Sequence, residues 1–361
     1  MSMDDVYDVT RLPVAPRSLH ELGRLRALLA EGERTLPFSA GEQGLNLLTH
    51  WMGSGTEHGE ALLALAAELG AEEQRGFLAV IEGLPGSGKT HLLLALAAVA
   101  GFPASRAALA DLWGLGSAGA SVLTSLPRFL VIPVPLADHA GASESLDEIL
   151  FEGAEHEAAR PPFSVDAPLS TVSYTLKVVQ QHLLPLQYEE LDAEARARGF
   201  ADWMGLVQSS PRLAAALARS AAAELGVAGP LVPSRSERLA GLLQLLPADT
   251  GVLWLLDDLH DFLAAAGPKG AREDIAFLEF LAQRAKVSPV YAIATGSRAS
   301  RGLAEELCEE LLRLADKTHT LAPEHLRPLL SLGWIASDEE RERVLGEAME
   351  RFQKAWPSAA P

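Results

Sequence analysis

Cys308 is the only cysteine in 361 residues. One thiol excludes an internal disulfide and a cysteine-built zinc site. Its place in an apolar-periodic stretch reads as a buried core thiol. Asparagine is equally rare, Asn46 being the only one. The guanine-reading N-K-x-D motif of GTPases needs an asparagine, and Asn46 lies far upstream in the wrong context. Long apolar runs are missing too, because charged residues interrupt every stretch that could span a bilayer. Met1-Ser2-Met3-Asp4-Asp5 is acidic and lacks the apolar core of a signal peptide. The expectation is a cytoplasmic protein with no membrane partner. Positive charge is also short: 30 Lys and Arg face 48 Asp and Glu, a net charge of −18. That balance argues against general nucleic-acid binding, so a DNA contact is not supported by charge and would need a local basic patch. The ten histidines show no metal-binding spacing, and no G-x-S-x-G nucleophile elbow appears.

What is present is apolar and helix-forming. Hydrophobic residues make up 48% of the chain, and alanine and leucine dominate them. The length allows one large domain or two to three modest ones.

Everything else is arranged around Gly83-Leu84-Pro85-Gly86-Ser87-Gly88-Lys89-Thr90. This is G-x-x-x-x-G-K-[ST], a phosphate-binding P-loop. The glycines let the backbone approach an anion, and successive N–H groups form a nest around phosphates. Lys89 adds a point charge and Thr90 a hydroxyl for Mg²⁺. His91 follows directly and caps or packs beside the loop. The flanks have the required order, with an apolar strand at Phe77–Glu82 and an apolar helix from His91. The helix would aim its positive end at the phosphates.

A second apolar run, Gly251 to Leu256, ends in Asp257-Asp258. After a P-loop this is a Walker B pattern, in which the first acid, Asp257, holds Mg²⁺. Asp258 would polarise the attacking water. ATP is the expected nucleotide, with Mg²⁺. A small-molecule kinase is disfavoured because the second acid suits water activation. Aspartate is one methylene shorter than glutamate, so hydrolysis by the isolated chain should be slow, and Asp258→Glu should raise turnover if the site has room. Pro289–Arg298 reads as a strand with a polar end, which makes Thr295 and Ser297 candidates for sensing the γ-phosphate. His260 follows the acid pair and reads as packing, or as a hydrogen-bonding group near that phosphate.

The remaining elements divide the chain. Residues 1–74 read as a helical lead-in, with helices at Ser18–Leu29, Ala40–Trp51 and Glu57–Leu69. Residues 75–322 read as an ATPase core, and the strand at Arg128–Val134 is expected to leave the sheet near Pro133. A helical insertion occupies about 135–250, with helices at 144–158, 171–186, 188–198, 211–225 and 235–246. A helix from Asp274 to Lys286, another at Leu303–Ala315 and a strand at Lys317–Leu321 follow. Residues 323–361 read as a short helical segment, with helices at Glu324–Leu332 and Asp338–Trp356. The fold class expected is α/β: a parallel-sheet P-loop NTPase with an αβα core.

This element order resembles the AAA+ and STAND branch of P-loop ATPases. The resemblance implies an arginine finger near the end of the helix before the last strand. Arg313 and Lys317 stand there, with Arg298 and Arg301 as alternatives. It also implies a homo-oligomer as partner. A narrower resemblance is to the large ATPases of BREX phage-resistance systems. It is carried by Gly88-Lys89-Thr90-His91 and by Ile132-Pro133-Val134-Pro135-Leu136-Ala137-Asp138-His139 with the acidic stretch Leu146-Asp147-Glu148-Ile149-Leu150. Asp257-Asp258-Leu259-His260-Asp261-Phe262-Leu263 and Asp274 with Phe277-Leu278-Glu279-Phe280-Leu281 complete it. It covers about 77–356 in patches and implies protein partners in a defence complex. Those proteins are far longer and carry glutamate where Asp258 stands. Two other readings remain open. One is a replication-initiator or loader-like ATPase, which would need a winged helix or basic patch. The other is a scaffold that binds ATP without hydrolysing it.

Overall fold

Four short apolar runs and the polar stretch Lys317–Leu321 become five parallel strands. In the computed structural model, which describes residues 57–71, 75–83, 87–141, 144–224, 233–296 and 303–321, they are β1 (Leu78–Gly83), β2 (Arg128–Pro135), β3 (Thr250–Asp257), β4 (Val290–Gly296) and β5 (Lys317–Leu321). They form one sheet in the order β2-β3-β4-β1-β5, with every pairing parallel. The three inner strands are buried along their whole length, as a parallel sheet covered on both faces requires.

Alternate residues of each strand feed two separate cores. Ala79, Ile81, Leu253, Leu255 and Ile293 face α1 (Glu57–Leu69), α2 (Lys89–Gly101), α3 (Pro103–Leu112) and α4 (Ser117–Thr124). Val80, Leu130, Ile132, Trp254, Leu256 and Ala294 face α5 (Leu146–Ala158), α10 (Arg235–Leu245), α11 (Leu259–Ala265), α12 (Gly267–Ala285) and α13 (Leu303–Leu314). Helix α2 is buried almost all round, which explains its leucine and alanine run without a polar stripe.

The long excursion between β2 and β3 is helical, as expected, but it is not one unit. Its first and last helices, α5 and α10, belong to the core of the sheet. Between them run α6 (Thr171–Val178), a π-turn at Val179–Leu183, α7 (Leu184–Ala197), α8 (Trp203–Ser209) and α9 (Pro211–Glu224). These enclose a small core of their own around Trp203, Leu206, Leu191 and Ala218. Polar side chains fasten α10 to α5. Arg238, only 7% exposed, donates to Asp147 Oδ2 at 3.1 Å, Glu148 Oε1 at 2.7 Å and the Leu169 carbonyl at 3.2 Å. Its guanidinium lies 4.2 Å from the centre of the Phe151 ring, a cation–π contact. Asp274 on α12 accepts the backbone N–H of Leu146 at 2.8 Å, so it satisfies a donor at the start of α5.

Two expectations need correction. Strand β2 does not leave the sheet at Pro133 but stays in register through Pro135, which pairs with Asp257. It is an edge strand, where a residue without an N–H is tolerated. Helix α2 ends at Gly101 with Phe102 as its cap, and Pro103 opens α3 at once, a position where proline fits. Helix α12 begins at Gly267, with Pro268 in its first turn, rather than at Asp274. Buried Arg106 supports the α2–α3 corner, donating to the carbonyls of Val99, Ala100, Leu126 and Pro127.

Of the lead-in, Glu57–Leu69 is a helix as expected. The helices expected at Ser18–Leu29, Ala40–Trp51, Glu324–Leu332 and Asp338–Trp356 lie outside the described residues. Among the described residues, no helix is long and apolar enough to cross a membrane.

Candidate functional site

In a parallel sheet all strands end on one rim, and ligands bind there. Glu82 pairs with Gly296 and Leu256 with Ala294, so Gly83, Asp257 and Thr295 reach that rim together. Strand β4 lies between β1 and β3. Thr295 therefore stands between the glycine-rich loop and the acid pair.

The loop side is built from Gly83, Ser87, Gly88 and α2; Leu84, Pro85 and Gly86 lie outside the described residues. Gly88 caps α2 at φ 87°, a left-handed backbone that favours glycine. Having no side chain, it leaves the capping of the helix start to other groups. The Ser87 hydroxyl is buried and has no hydrogen-bond partner among the described residues. It faces the end of β1, where a Cβ on Gly83 would come within 2.5 Å of it. Lys89 is 8% exposed, and its Nζ donates to the Gly83 carbonyl at 2.8 Å, closing the loop on itself. Thr90 and His91 follow in the first turn, both partly exposed.

The acid side turns on one hydroxyl. Thr295, fully buried, donates to Asp257 Oδ1 at 2.7 Å. The Thr295 hydroxyl oxygen in turn accepts the backbone N–H of Asp258 at 2.8 Å. Asp258 is not a simple strand end: it has φ 58° and ψ 38° and caps α11. Short polar residues tolerate this left-handed backbone better than longer ones. Burial pushes the Asp258 carboxyl above the usual carboxylate range. The neighbouring Asp257 and Asp261 push it further, and Lys89 opposes them. Burial lowers the Lys89 ammonium, while Asp258, Asp257 and Asp261 raise it. The ammonium and the acid pair thus lie within one another's field. His260, buried, packs its ring on Gly296, where a Cβ would come within 2.4 Å of Cε1.

The arginine and lysine candidates lie elsewhere. Lys317 pairs with Ala79, near the start of β1, and so at the opposite rim. Its Nζ is 3.2 Å from Glu68 Oε1 on α1. Arg313, exposed in the last turn of α13 just before it, donates to the Glu309 carbonyl of its own helix at 3.1 Å. Neither serves the site of its own chain from there. Ser297, Arg298 and Arg301 lie outside the described residues.

Two groups at the site escaped the sequence reading. Asp261 sits one helical turn beyond Asp258, a spacing visible in the sequence. His58 reaches the loop from α1 and left no sequence signal. A nucleotide phosphate with its cation suits this set of groups. The helix start and the Lys89 ammonium lie on the β1 side of Thr295 and the acid pair on the β3 side. Among the described residues, no cluster of three or more His, Cys, Asp or Glu could hold a metal. Mg²⁺ needs no such cage when phosphate oxygens complete its shell.

No family model matches the chain, and no curated protein does. Among solved structures, one described as the structure of C. elegans PCH-2 is similar over 79% of this chain and 49% of that one, at 12% identity and a TM-score of 0.29. At that identity and TM-score the match says nothing further of this chain.

Proposed function

We propose that this chain binds Mg·ATP at the rim between β1 and β3 and hydrolyses it, as a P-loop ATPase or ATP-driven switch of AAA+ type. The observation that supports this most is the register that brings Gly83 of the loop and Asp257 of the acid pair, far apart in sequence, to one rim on either side of Thr295. Lys89 and the N–H groups at the start of α2 would bind the phosphates. Mg²⁺ would be held by the Asp257 carboxylate and the Thr90 hydroxyl, and when bound it neutralises charge developing on the phosphate oxygens. Asp258 would orient the water and accept its proton. Thr295 holds both acids in place.

The test is Mg·ATP binding and turnover in Lys89→Ala and Thr90→Ala. Both should weaken binding or abolish turnover while the fold persists. Wild-type affinity and rate in Lys89→Ala would remove the assignment. Binding without turnover in the wild type favours the scaffold reading, and turnover raised by DNA favours the loader reading.

The position of Arg313 at the far rim fits supply to a second copy of the chain. In mixtures, Asp257→Asn subunits should then rescue Arg313→Ala subunits. The narrower reading, a component of a BREX-like anti-phage complex, rests on the sequence resemblance. Two of its stretches meet in space, through Asp274 and the Leu146 N–H. Loss of phage protection and of co-purifying proteins in Lys89→Ala cells is its test.

A further inference from the structure

The phosphate loop has a support outside its own motif. His58, in the first turn of α1 and 3% exposed, places Nε2 2.6 Å from the Ser87 carbonyl. A carbonyl oxygen only accepts, so Nε2 carries the proton and donates. We infer that His58 is a positioning residue for nucleotide binding, holding the Ser87–Gly88 peptide in the orientation that the phosphate requires. This inference rests on the nucleotide-binding reading of the same site.

The planarity of one peptide links the Ser87 carbonyl to the Gly88 N–H. In a trans peptide the C=O and the following N–H point in opposite directions. With the Ser87 oxygen drawn toward α1, the Gly88 N–H is turned away from α1. That N–H belongs to the donor set that opens α2, where an anion is favoured. Gly88 is left-handed and, as a glycine, intrinsically free to take many other conformations. Its carbonyl is already committed, accepting the Leu92 N–H at 3.0 Å. The peptide before it is the hinge that remains, and the contact of His58 with Ser87 O fixes it. Lys89 holds the other end of the loop through the Gly83 carbonyl.

Helix α1 is itself anchored well enough to act as the support. Leu62, Leu65 and Leu69 are buried in the core beside the leucines of α2. At its far end Glu68 meets Lys317. The imidazole is thus presented from a fixed element, about 29 residues upstream of the loop it supports, the chain separation of the bond.

The experiment compares His58→Ala and His58→Gln with wild type and Lys89→Ala. Affinities for a fluorescent ATP analogue and for Mg·ADP are measured, together with single-turnover hydrolysis at saturation. The glutamine amide can donate to the same carbonyl, whereas alanine cannot. His58→Ala should weaken both nucleotides by about three- to tenfold, the range for one net hydrogen bond. Its saturated hydrolysis rate should stay within about twofold of wild type, since uniform binding is lost rather than transition-state binding. His58→Gln should recover most of the affinity. Wild-type affinity in His58→Ala overturns the inference, as does a His58→Gln variant no better than alanine. If His58→Ala does not fold, His58→Gln alone decides: affinity near wild type supports the role, and a loss beyond tenfold in the folded variant overturns it. If Lys89→Ala also binds normally, the nucleotide reading has failed. If only Lys89→Ala loses binding, the His58 role alone has failed.

Discussion

Thr295 and Asp257 share a hydrogen bond of 2.7 Å, and the same threonine oxygen takes the Asp258 N–H at 2.8 Å. The hydroxyl therefore joins two consecutive acids through different atoms, one by its carboxylate and one by its backbone. Thr295→Val keeps the shape but leaves the Asp258 N–H without its acceptor. A misplacement of about 1 Å at a reacting group can cost on the order of 100-fold in rate. Turnover in Thr295→Val should fall by about 10- to 100-fold while nucleotide affinity stays near wild type. Thr295→Ser should restore most of the rate. Equal loss in both variants would show that the methyl group, not the hydroxyl, carries the effect.

Asp261 offers a pH test. Asp258 must be ionised to accept a proton, and its carboxyl is raised by burial first and then by Asp257 and Asp261. The acid limb of the turnover profile should therefore lie above the usual carboxylate range. Asp261→Asn removes one like charge, so the Asp258 value falls and the limb moves to lower pH. Asp261 is exposed, so solvent screening keeps the shift small. A pH–rate series for wild type and Asp261→Asn at low and high salt measures it. A shift toward higher pH would contradict this account of the site.

Asp258→Glu carries an expectation that the structure reverses. The longer acid is expected to raise turnover only if the site has room, and position 258 is left-handed at φ 58°. Glutamate enters that region less readily than aspartate, at a cost of about 1 kcal/mol. The variant should melt lower than wild type and hydrolyse no faster. Asp258→Asn keeps a short polar side chain and removes a carboxylate beside two others. Because the folded value is raised, ionisation of Asp258 destabilises the fold. That cost is absent in acid and grows as pH rises from the unfolded value through the folded one. Without nucleotide, Asp258→Asn should thus melt higher than wild type at neutral pH, with the gain shrinking on acidification. Thermal melts across pH check both variants.

Arg238 tests the fastening of the insertion. Removing one partner of a buried ion pair costs about 3 to 5 kcal/mol, and Arg235 stays within 2.8 Å of Asp147 to soften the loss. Arg238→Ala should lower stability by about 3 kcal/mol in urea unfolding. Burial alone would raise the Asp147 carboxyl, but hydrogen bonds from Arg235 and Ser145 and the charges of Arg235 and Arg238 outweigh it and hold it low. Its contribution is present above the unfolded carboxylate value and lost as pH falls through the folded one. The difference between variant and wild type should narrow in strong acid.

Strands were legible where apolar runs were bounded by turn residues, as at Leu78–Gly83 and Val290–Gly296. The pairing of Gly83, Lys89, Asp257 and Asp258 was legible because each carries a recognisable chemical pattern. Elements opened by proline were not: Pro103 and Pro268 look like stops, yet proline suits the first turn of a helix. The left-handed Asp258 was hidden because nothing local distinguishes a strand end from a helix cap that follows at once. His58 was hidden for another reason. Its partner is a backbone carbonyl, which has no letter in the sequence, and only tertiary packing brings the two together. The pairing of Asp147 and Glu148 with Arg238 was hidden too, because only the packing of α10 on α5 brings those charges together.

The prolines of β2 limit how the molecule can extend. Pro133 and Pro135 stand two apart on a strand at one end of the sheet, so they offer no N–H where an incoming strand would need donors. Growth of the sheet by strand addition is therefore disfavoured along that stretch, and an assembly of copies has to be made with side chains and helix surfaces on this side.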